Sequence, residues 1–166
     1  LRATVRGVDS SLLDEWEQDL RACYDGAPRH PVFVALRETV RACDIPQQPF
    51  ADLLTAFRQD QSVARYPTFE DVLGYCRYSA NPVGRLVLYV CGYRDEERQQ
   101  LSDSTCTALQ LANFWQDVIV DYGKGRVYLP LEDLRRFQVS EEDIAARRAT
   151  PAFLDLMRFE VARARE

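Results

Sequence analysis

The chain has 166 residues, 46% of them hydrophobic, 28% charged and 11% aromatic, enough apolar material to bury a core and unlike a disordered tail. Its 21 Lys and Arg against 26 Asp and Glu leave a net charge of −5, which argues against affinity for phosphate backbones, so no nucleic-acid partner is expected. The longest nearly apolar run, Leu86 to Gly92, is far shorter than the roughly 20 residues a membrane helix needs.

A period near 3.6 runs through almost every segment. Leu12, Leu13, Trp16, Leu20 and Cys23 form one stripe, and Val32, Phe33, Leu36 and Val40 form a second that ends before Asp44-Ile45-Pro46. A third helix is expected from about Phe50 to Asp60 through Leu53, Leu54 and Phe57, with Tyr66-Pro67 closing the segment after it. Thr68, with Asp71 three residues on, has the form of an N-cap and opens a long apolar stretch that reaches Tyr93. Inside that stretch Asn81-Pro82 predicts a kink or break near Ala80 to Pro82, and the nearby Gly84 allows close helix contact.

The next helix is expected to start around Ser102 to Ser104 and to reach Asp121 or Tyr122, with Gly123 as a left-handed C-cap. After a Gly-Lys-Gly-Arg loop, Pro130 starts a short helix, Ser140 caps another over Glu141-Glu142-Asp143, and Thr150-Pro151 opens the last, which runs on to Glu166. No strand alternation, repeat or low-complexity linker interrupts this pattern, so the expected fold is all-α, with residues 1–166 in one domain. The start at Leu1 without a Met, and the end inside a helical run, give the chain the look of a piece of a longer protein.

Cys23, Cys43, Cys76, Cys91 and Cys106 are odd in number, widely spaced and without a Cys-x-x-Cys pair, which suits a reducing cytoplasm and suggests neither a disulfide framework nor a zinc site. His30 is the only histidine, so chemistry built on a His triad or a multi-His metal centre has no raw material. A site must be made from carboxylates, amides, Arg and Tyr.

Such a set stands on one helix. From Thr105 to Asp121 the only charged residues are Asp117 and Asp121. At about 100° per residue Asn113, Asp117 and Asp121 fall within about 80° of arc, with Gln110 inside it. Leu109, Leu111, Ala112, Phe114, Trp115, Val118, Ile119 and Val120 fill most of the remaining circumference, so the helix is expected to be largely surrounded by protein. Carboxylates at i and i+4 repel by a few tenths of a kcal/mol, and no Lys or Arg within the helix offsets them. An exposed, solvated face would explain them; if they are buried, a cation must be supplied. Hard oxygen donors without His or Cys suit Mg²⁺, which commonly completes its shell with waters and substrate phosphates, so a diphosphate ligand is expected. Lys124 and Arg126, in the Gly-flanked loop at the helix end, could clamp the same phosphate oxygens, or could simply answer the helix C-terminal dipole.

The run Ala108 to Asp121, followed by Gly125-Arg-Val-Tyr-Leu-Pro130, resembles the second aspartate-rich signature of the squalene and phytoene synthases. Tyr75-Cys-Arg-Tyr-Ser-Ala-Asn-Pro-Val-Gly84 resembles the Tyr-Cys-x-x-x-Ala-x-x-Val-Gly segment of that family, and Leu53 to Asp60 its preceding helix. Arg-Tyr-Ser-Ala-Asn-Pro-Val-Gly-Arg, and Gln116 where phytoene synthases usually carry Arg, look most like the bacterial hydroxysqualene synthases of hopanoid synthesis.

The resemblance implies part of an isoprenoid synthase helical bundle, whose central cavity holds Mg²⁺ and prenyl diphosphate between two facing aspartate-rich helices. It assigns Mg²⁺ to Asp117 and Asp121 with Asn113, orientation of diphosphate or its waters to Asn113 and Gln110, and diphosphate charge to Arg126 and Lys124. It sets Tyr128 to hydrogen-bond nearby and Tyr75 to line the cavity beside a carbocation, although Tyr75 fits equally a packed aromatic. Arg77 and Asp60 are weaker candidates that a surface ion pair would also explain.

The family's first aspartate-rich motif has no counterpart here, since Asp9, Asp14 and Asp19 belong to a surface-like amphipathic helix. Half of the metal site is then missing, and this piece alone is expected to be inactive. The implied activity of its parent is Mg²⁺-assisted conversion of presqualene diphosphate to hydroxysqualene. The alternatives are head-to-head condensation of two prenyl diphosphates, as in squalene, presqualene diphosphate or phytoene synthesis, or a non-catalytic scaffold. Such apolar substrates allow a cytoplasmic enzyme to dock at the inner membrane face without spanning it.

Overall fold

A computed structural model describes residues 10–165, so Asp9 and Glu166, counted above with the first and last helices, lie outside the described residues. Among the described residues there are ten helices and no strand; the one extended pairing is an isolated parallel bridge between Arg65 and Val127. The expected all-α architecture is what the chain forms. No described helix is long and apolar enough to cross a membrane.

Among the described residues the contacts group into two compact units, 10–62 with Arg77–Cys106, and Val63–Cys76 with 107–165. In the first, α1 (Ser10–Asp25), α2 (Pro31–Cys43) and α3 (Gln48–Gln59) form a layer. The Asp19 carboxylate accepts from the backbone N–H groups of Arg29 and His30, which fixes the turn between α1 and α2. His30 then caps α2 by accepting from Val32 N–H through Nδ1, Pro31 fills the first helical position, and Asp44 closes the helix at φ 50°. Leu13, Leu20, Cys23, Phe33 and Leu54 make the buried core of this layer, with Tyr24, Leu36 and Phe50 packed against it. Four stripe residues expected inside, Leu12, Trp16, Val32 and Phe57, are instead 43–52% exposed. Three short helices meet along narrow ridges, so only part of each apolar arc is covered.

α4 (Phe69–Ser79) and α5 (Asn81–Val90) are separated at Ala80, where the Asn81-Pro82 signal puts the break. A Cβ on Gly84 would collide with Ser102 Oγ and Cys106 Sγ of α6 (Glu96–Gln116), so glycine is what lets α5 approach α6 this closely. Arg85 adds a fork to Asp103 in the same contact, at 2.6–3.2 Å. α6 begins at Glu96, ahead of the expected Ser102, because Asp95 accepts from Arg98 N–H and Glu96 and Glu97 suit a helix N-terminus.

In the second unit the first eight residues of α4 (to Cys76) and the last ten of α6 (from Thr107) join α7 (Val118–Gly123), α8 (Leu131–Arg136), α9 (Glu141–Ala145) and α10 (Pro151–Arg163). Reciprocal capping boxes start α4, through Thr68 and Asp71, and α9, through Ser140 and Asp143, while Thr150 caps α10 by accepting from Phe153 N–H. Glu160 of α10 is fully buried, and its carboxylate shares the Arg163 guanidinium with Asp133, at 2.6 and 2.8 Å. Burial pushes the Glu160 carboxyl up to about 7 against the pull of Arg163, with Asp133 adding to the rise.

Candidate active site

The acidic stripe is not carried by one unbroken helix. α6 ends at Gln116, Asp117 leaves helical geometry at φ −98° and ψ 14°, and α7 resumes at Val118. The i to i+4 ladder nevertheless continues through the break: Asp117 N–H donates to the Asn113 carbonyl at 2.9 Å and Asp121 N–H to the Asp117 carbonyl at 2.8 Å. Asn113, Asp117 and Asp121 therefore stay in helical register, with Asn113 exposed and both aspartates half-buried.

The helix end also differs from expectation. Gly123 is the last residue of α7, and Gly125 takes the left-handed position, at φ 84°. Gly125 N–H donates to the Tyr122 carbonyl and Arg126 N–H to the Asp121 carbonyl, both at 2.9 Å, which is a Schellman closure. This closure folds the loop back, so that Lys124 Nζ lies 3.2 Å from Asp121 Oδ1 and the Arg126 backbone lies against the Asp121 turn. Arg126 Nη1 donates to Tyr128 Oη at 3.0 Å. Asp121, the basic loop and Tyr128 are thus drawn to the C-terminal end of α7.

Behind Tyr128 stands an aromatic column. Its ring stacks on Phe114 at 3.8 Å and 6°, and on Tyr66 at 5.6 Å and 19°. Tyr75 sits within 5.5–6.1 Å of Tyr66, Phe114 and Tyr128 and is 6% exposed, which makes it a packed member of the column. Stacked on Phe114 and donated to by Arg126, Tyr128 offers the site its hydroxyl rather than the face covered by Phe114.

Encirclement of the helix by protein is only partial. Leu111, Phe114 and Trp115, one i, i+3, i+4 face, are buried, whereas Leu109 and Val120 are 66% and 54% exposed. Packing in this unit uses a single face, and Gln110 is half-buried beside it. Asp60, the C-cap of α3, and Arg77, in the last turn of α4, belong to the first unit.

Tyr66, Phe114, Arg65 and Glu141 stand beside the candidate site without having been singled out from the sequence as part of it. Tyr66 and Phe114 carried a signal as aromatics within the segments of interest, but Arg65 and Glu141, paired through two 2.7 Å contacts, carried none. The Arg65 fork holds the Glu141 carboxyl below its ordinary value, and Glu141 raises that of Arg65.

Among the described residues no group of three or more His, Cys, Asp or Glu side chains forms a metal cage. Two carboxylates and an amide in one register are hard oxygen donors that fit part of a Mg²⁺ shell, an ion that keeps waters and takes phosphate oxygens for the rest.

The squalene/phytoene synthase family profile matches residues 3–166. The chain is 35% identical to phytoene synthase of Arthrospira platensis, over 93% of this chain and 54% of that protein. It is 36% identical to 15-cis-phytoene synthase of Synechocystis sp., over 92% and 49% respectively. It superposes on squalene synthase HpnC from Alicyclobacillus acidocaldarius with a TM-score of 0.91 and 46% identity, covering 98% of this chain and 62% of that one. A dehydrosqualene synthase crystallised with ligand gives a TM-score of 0.82 at 29% identity, over 95% and 56%. The chain spans about half the length of the curated relatives it matches. A profile match over almost every residue and superposition at this level agree with the broken acidic helix and its basic loop: the chain belongs to the squalene/phytoene synthase family.

Proposed function

We propose that this chain forms the diphosphate-binding part of a prenyl-diphosphate synthase that works on presqualene diphosphate and yields hydroxysqualene. The observation that supports a diphosphate site best is the Schellman closure, which brings Lys124 and Arg126 back to the end of the Asn113, Asp117, Asp121 stripe. The likeness to a protein named squalene synthase HpnC supports a squalene-type over a phytoene-type product within the family.

In this reading Asp117, Asp121 and Asn113 hold Mg²⁺, and Gln110 orients diphosphate or its waters. Bound there, Mg²⁺ would supply Lewis-acid neutralisation of the charge that builds on the departing diphosphate. Arg126 and Lys124 take up the same charge through their N–H donors, and Tyr128 holds the Arg126 guanidinium in place through its hydroxyl. Tyr75, packed behind Tyr128, backs an aromatic wall that shields the substrate-derived cation until one water adds to it and loses a proton, which gives the hydroxyl of hydroxysqualene. Two carboxylates and one amide supply about half of an octahedral shell, leaving the rest to waters and diphosphate oxygens.

A second reading, head-to-head condensation of two prenyl diphosphates, is favoured by the phytoene synthase relatives. The full-length gene product, incubated with presqualene diphosphate and separately with farnesyl diphosphate, with and without Mg²⁺, separates the two by mass spectrometry of the products. Hydroxysqualene from presqualene diphosphate alone supports the first reading; a product from farnesyl diphosphate installs the second. Turnover of neither by a folded protein leaves a scaffold that keeps the fold without the chemistry.

A further inference from the structure

The basic loop would hold a diphosphate only if its backbone is fixed, and the contacts that fix it come from elsewhere in the chain. Arg65 Nη1 donates to the Gly125 carbonyl at 2.6 Å and to the Ala64 carbonyl at 2.8 Å. Its Nε and Nη2 fork onto the two carboxylate oxygens of Glu141, each at 2.7 Å. The Ala64 carbonyl in turn accepts from Val127 N–H at 3.0 Å, within the isolated parallel bridge. Both neighbours of Arg126 are therefore gripped by residues 64 and 65, and Glu141, the first residue of α9, is itself placed by the Ser140–Asp143 capping box.

We infer that Arg65 and Glu141 are positioning residues for diphosphate binding, acting through the Gly125 carbonyl to set the Arg126 guanidinium. The inference rests on the diphosphate reading of Lys124 and Arg126 given above. All three guanidinium nitrogens of Arg65 are engaged, and Glu141 neutralises its charge, so Arg65 works as a strut and not as a phosphate ligand.

That distinction gives the test a sign. Glu141→Gln removes a negative charge close to a polyanion site, so electrostatics alone would tighten binding. Loss of the strut would weaken it. With the full-length gene product and inorganic pyrophosphate plus Mg²⁺ as the probe, titration calorimetry is expected to show Glu141→Gln and Arg65→Lys each weakening binding about five- to tenfold, since one or two good contacts to the loop are lost. The Arg65→Lys, Glu141→Gln double variant is expected to be no weaker than either single one, as for two halves of one contact. Hydrogen exchange over residues 122–129, followed by mass spectrometry, is expected to speed up about tenfold in each variant without ligand, while exchange in α1 to α3 stays unchanged.

Tighter or equal pyrophosphate binding by folded Glu141→Gln, or additive losses in the double variant, would overturn the positioning role. If the wild-type protein binds no pyrophosphate, the diphosphate reading fails; the exchange measurement then still decides whether the strut holds the loop, and unchanged exchange in both variants sinks that as well.

Discussion

The α1–α3 layer and the segment from Phe114 to Glu141 are held together by different physics. The layer is a patch of buried aliphatic and aromatic side chains, Leu13, Leu20, Phe33 and Leu54 among them, contributed by three amphipathic helices. Its surface ion pairs, such as Arg58 with Asp14 and Glu17, are exposed enough to add little. The segment around the candidate site has a helix that breaks at Asp117, a left-handed Gly125, a ring stack at 3.8 Å and a bidentate strut from Arg65. Many weak contacts spread over an area give the first region stability that tolerates local error. A few directional contacts give the second region defined positions for charge, and each can be removed singly.

The sharpest way to test this contrast is to exchange the readouts. Asp117→Ala and Asp121→Ala are each expected to weaken Mg²⁺-dependent pyrophosphate binding by more than about 100-fold, since even outer-shell partners of a metal are worth 10- to 100-fold. The same changes should leave the melting temperature nearly level, because the like-charge i, i+4 pair they relieve and the exposed Lys124 contact that Asp121→Ala gives up are each worth only a few tenths of a kcal/mol. Leu20→Ala, at a position 2% exposed, is expected to do the reverse. It should cost about 3 kcal/mol of stability in urea unfolding and leave pyrophosphate affinity of the folded protein unchanged. A large affinity loss in Leu20→Ala would erase the distinction between the two regions.

The next effect separates the regions by pH. No carboxylate belongs to the buried core of the α1–α3 layer, whereas Glu160 in the second unit is fully buried beside Asp133 and Arg163. Its folded-state value of about 7 lies above the ordinary 4.5, so the unfolded chain gives up this proton first as pH rises. Stability from the neutral form is complete below about pH 4.5 and is lost as pH rises through about 7, a change on the order of 3 kcal/mol. Glu160→Gln keeps the shape and removes the titration, so urea midpoints at pH 5 and pH 8 should differ less in the variant than in the wild type. An equal difference in both proteins would place the pH sensitivity elsewhere.

How much of each region could be read from the sequence follows the same division. The helices of the α1–α3 layer were legible because a 3.6 period and the Asp44-Ile45-Pro46 break are local signals, while how much of each stripe is covered was not, since Leu12, Trp16, Val32 and Phe57 stay exposed. The break at Ala80 was legible for the same reason, through Asn81-Pro82. The start of α6 was not, since its first turn, Glu96-Glu97-Arg98-Gln99-Gln100, shows no apolar period and depends on the Asp95 cap. In the site, the four-residue spacing of Asn113, Asp117 and Asp121 stood out, and the structure keeps that register. The helix break at Asp117 did not, because Phe-Trp-Gln-Asp-Val contains neither Gly nor Pro. Nor did the strut: Arg65 lies 60 residues from Gly125 and 76 from Glu141, and no local pattern can report a contact over such distances.

The smallest effect is also the one that isolates a single backbone angle. Gly123 and Gly125 are two residues apart, and a Cβ on either would meet nothing within 4 Å, so packing cannot distinguish them. Their backbones can. Gly123 is the last residue of α7, where alanine loses less chain entropy on folding than glycine, so Gly123→Ala is expected to raise stability by about 0.5 kcal/mol. Gly125 stands at φ 84°, where a Cβ is strained, so Gly125→Ala is expected to lower stability by about 1 kcal/mol and to loosen the N–H bonds that close α7. Because Arg126 follows directly, Gly125→Ala should also weaken pyrophosphate binding, while Gly123→Ala should not. Opposite signs in the two melting curves, with an affinity change in only one, would tie the loop's charge placement to the left-handed residue. Destabilisation by both would mean that Gly123 too stands outside right-handed helical geometry and that Arg126 reaches the acidic stripe by another path.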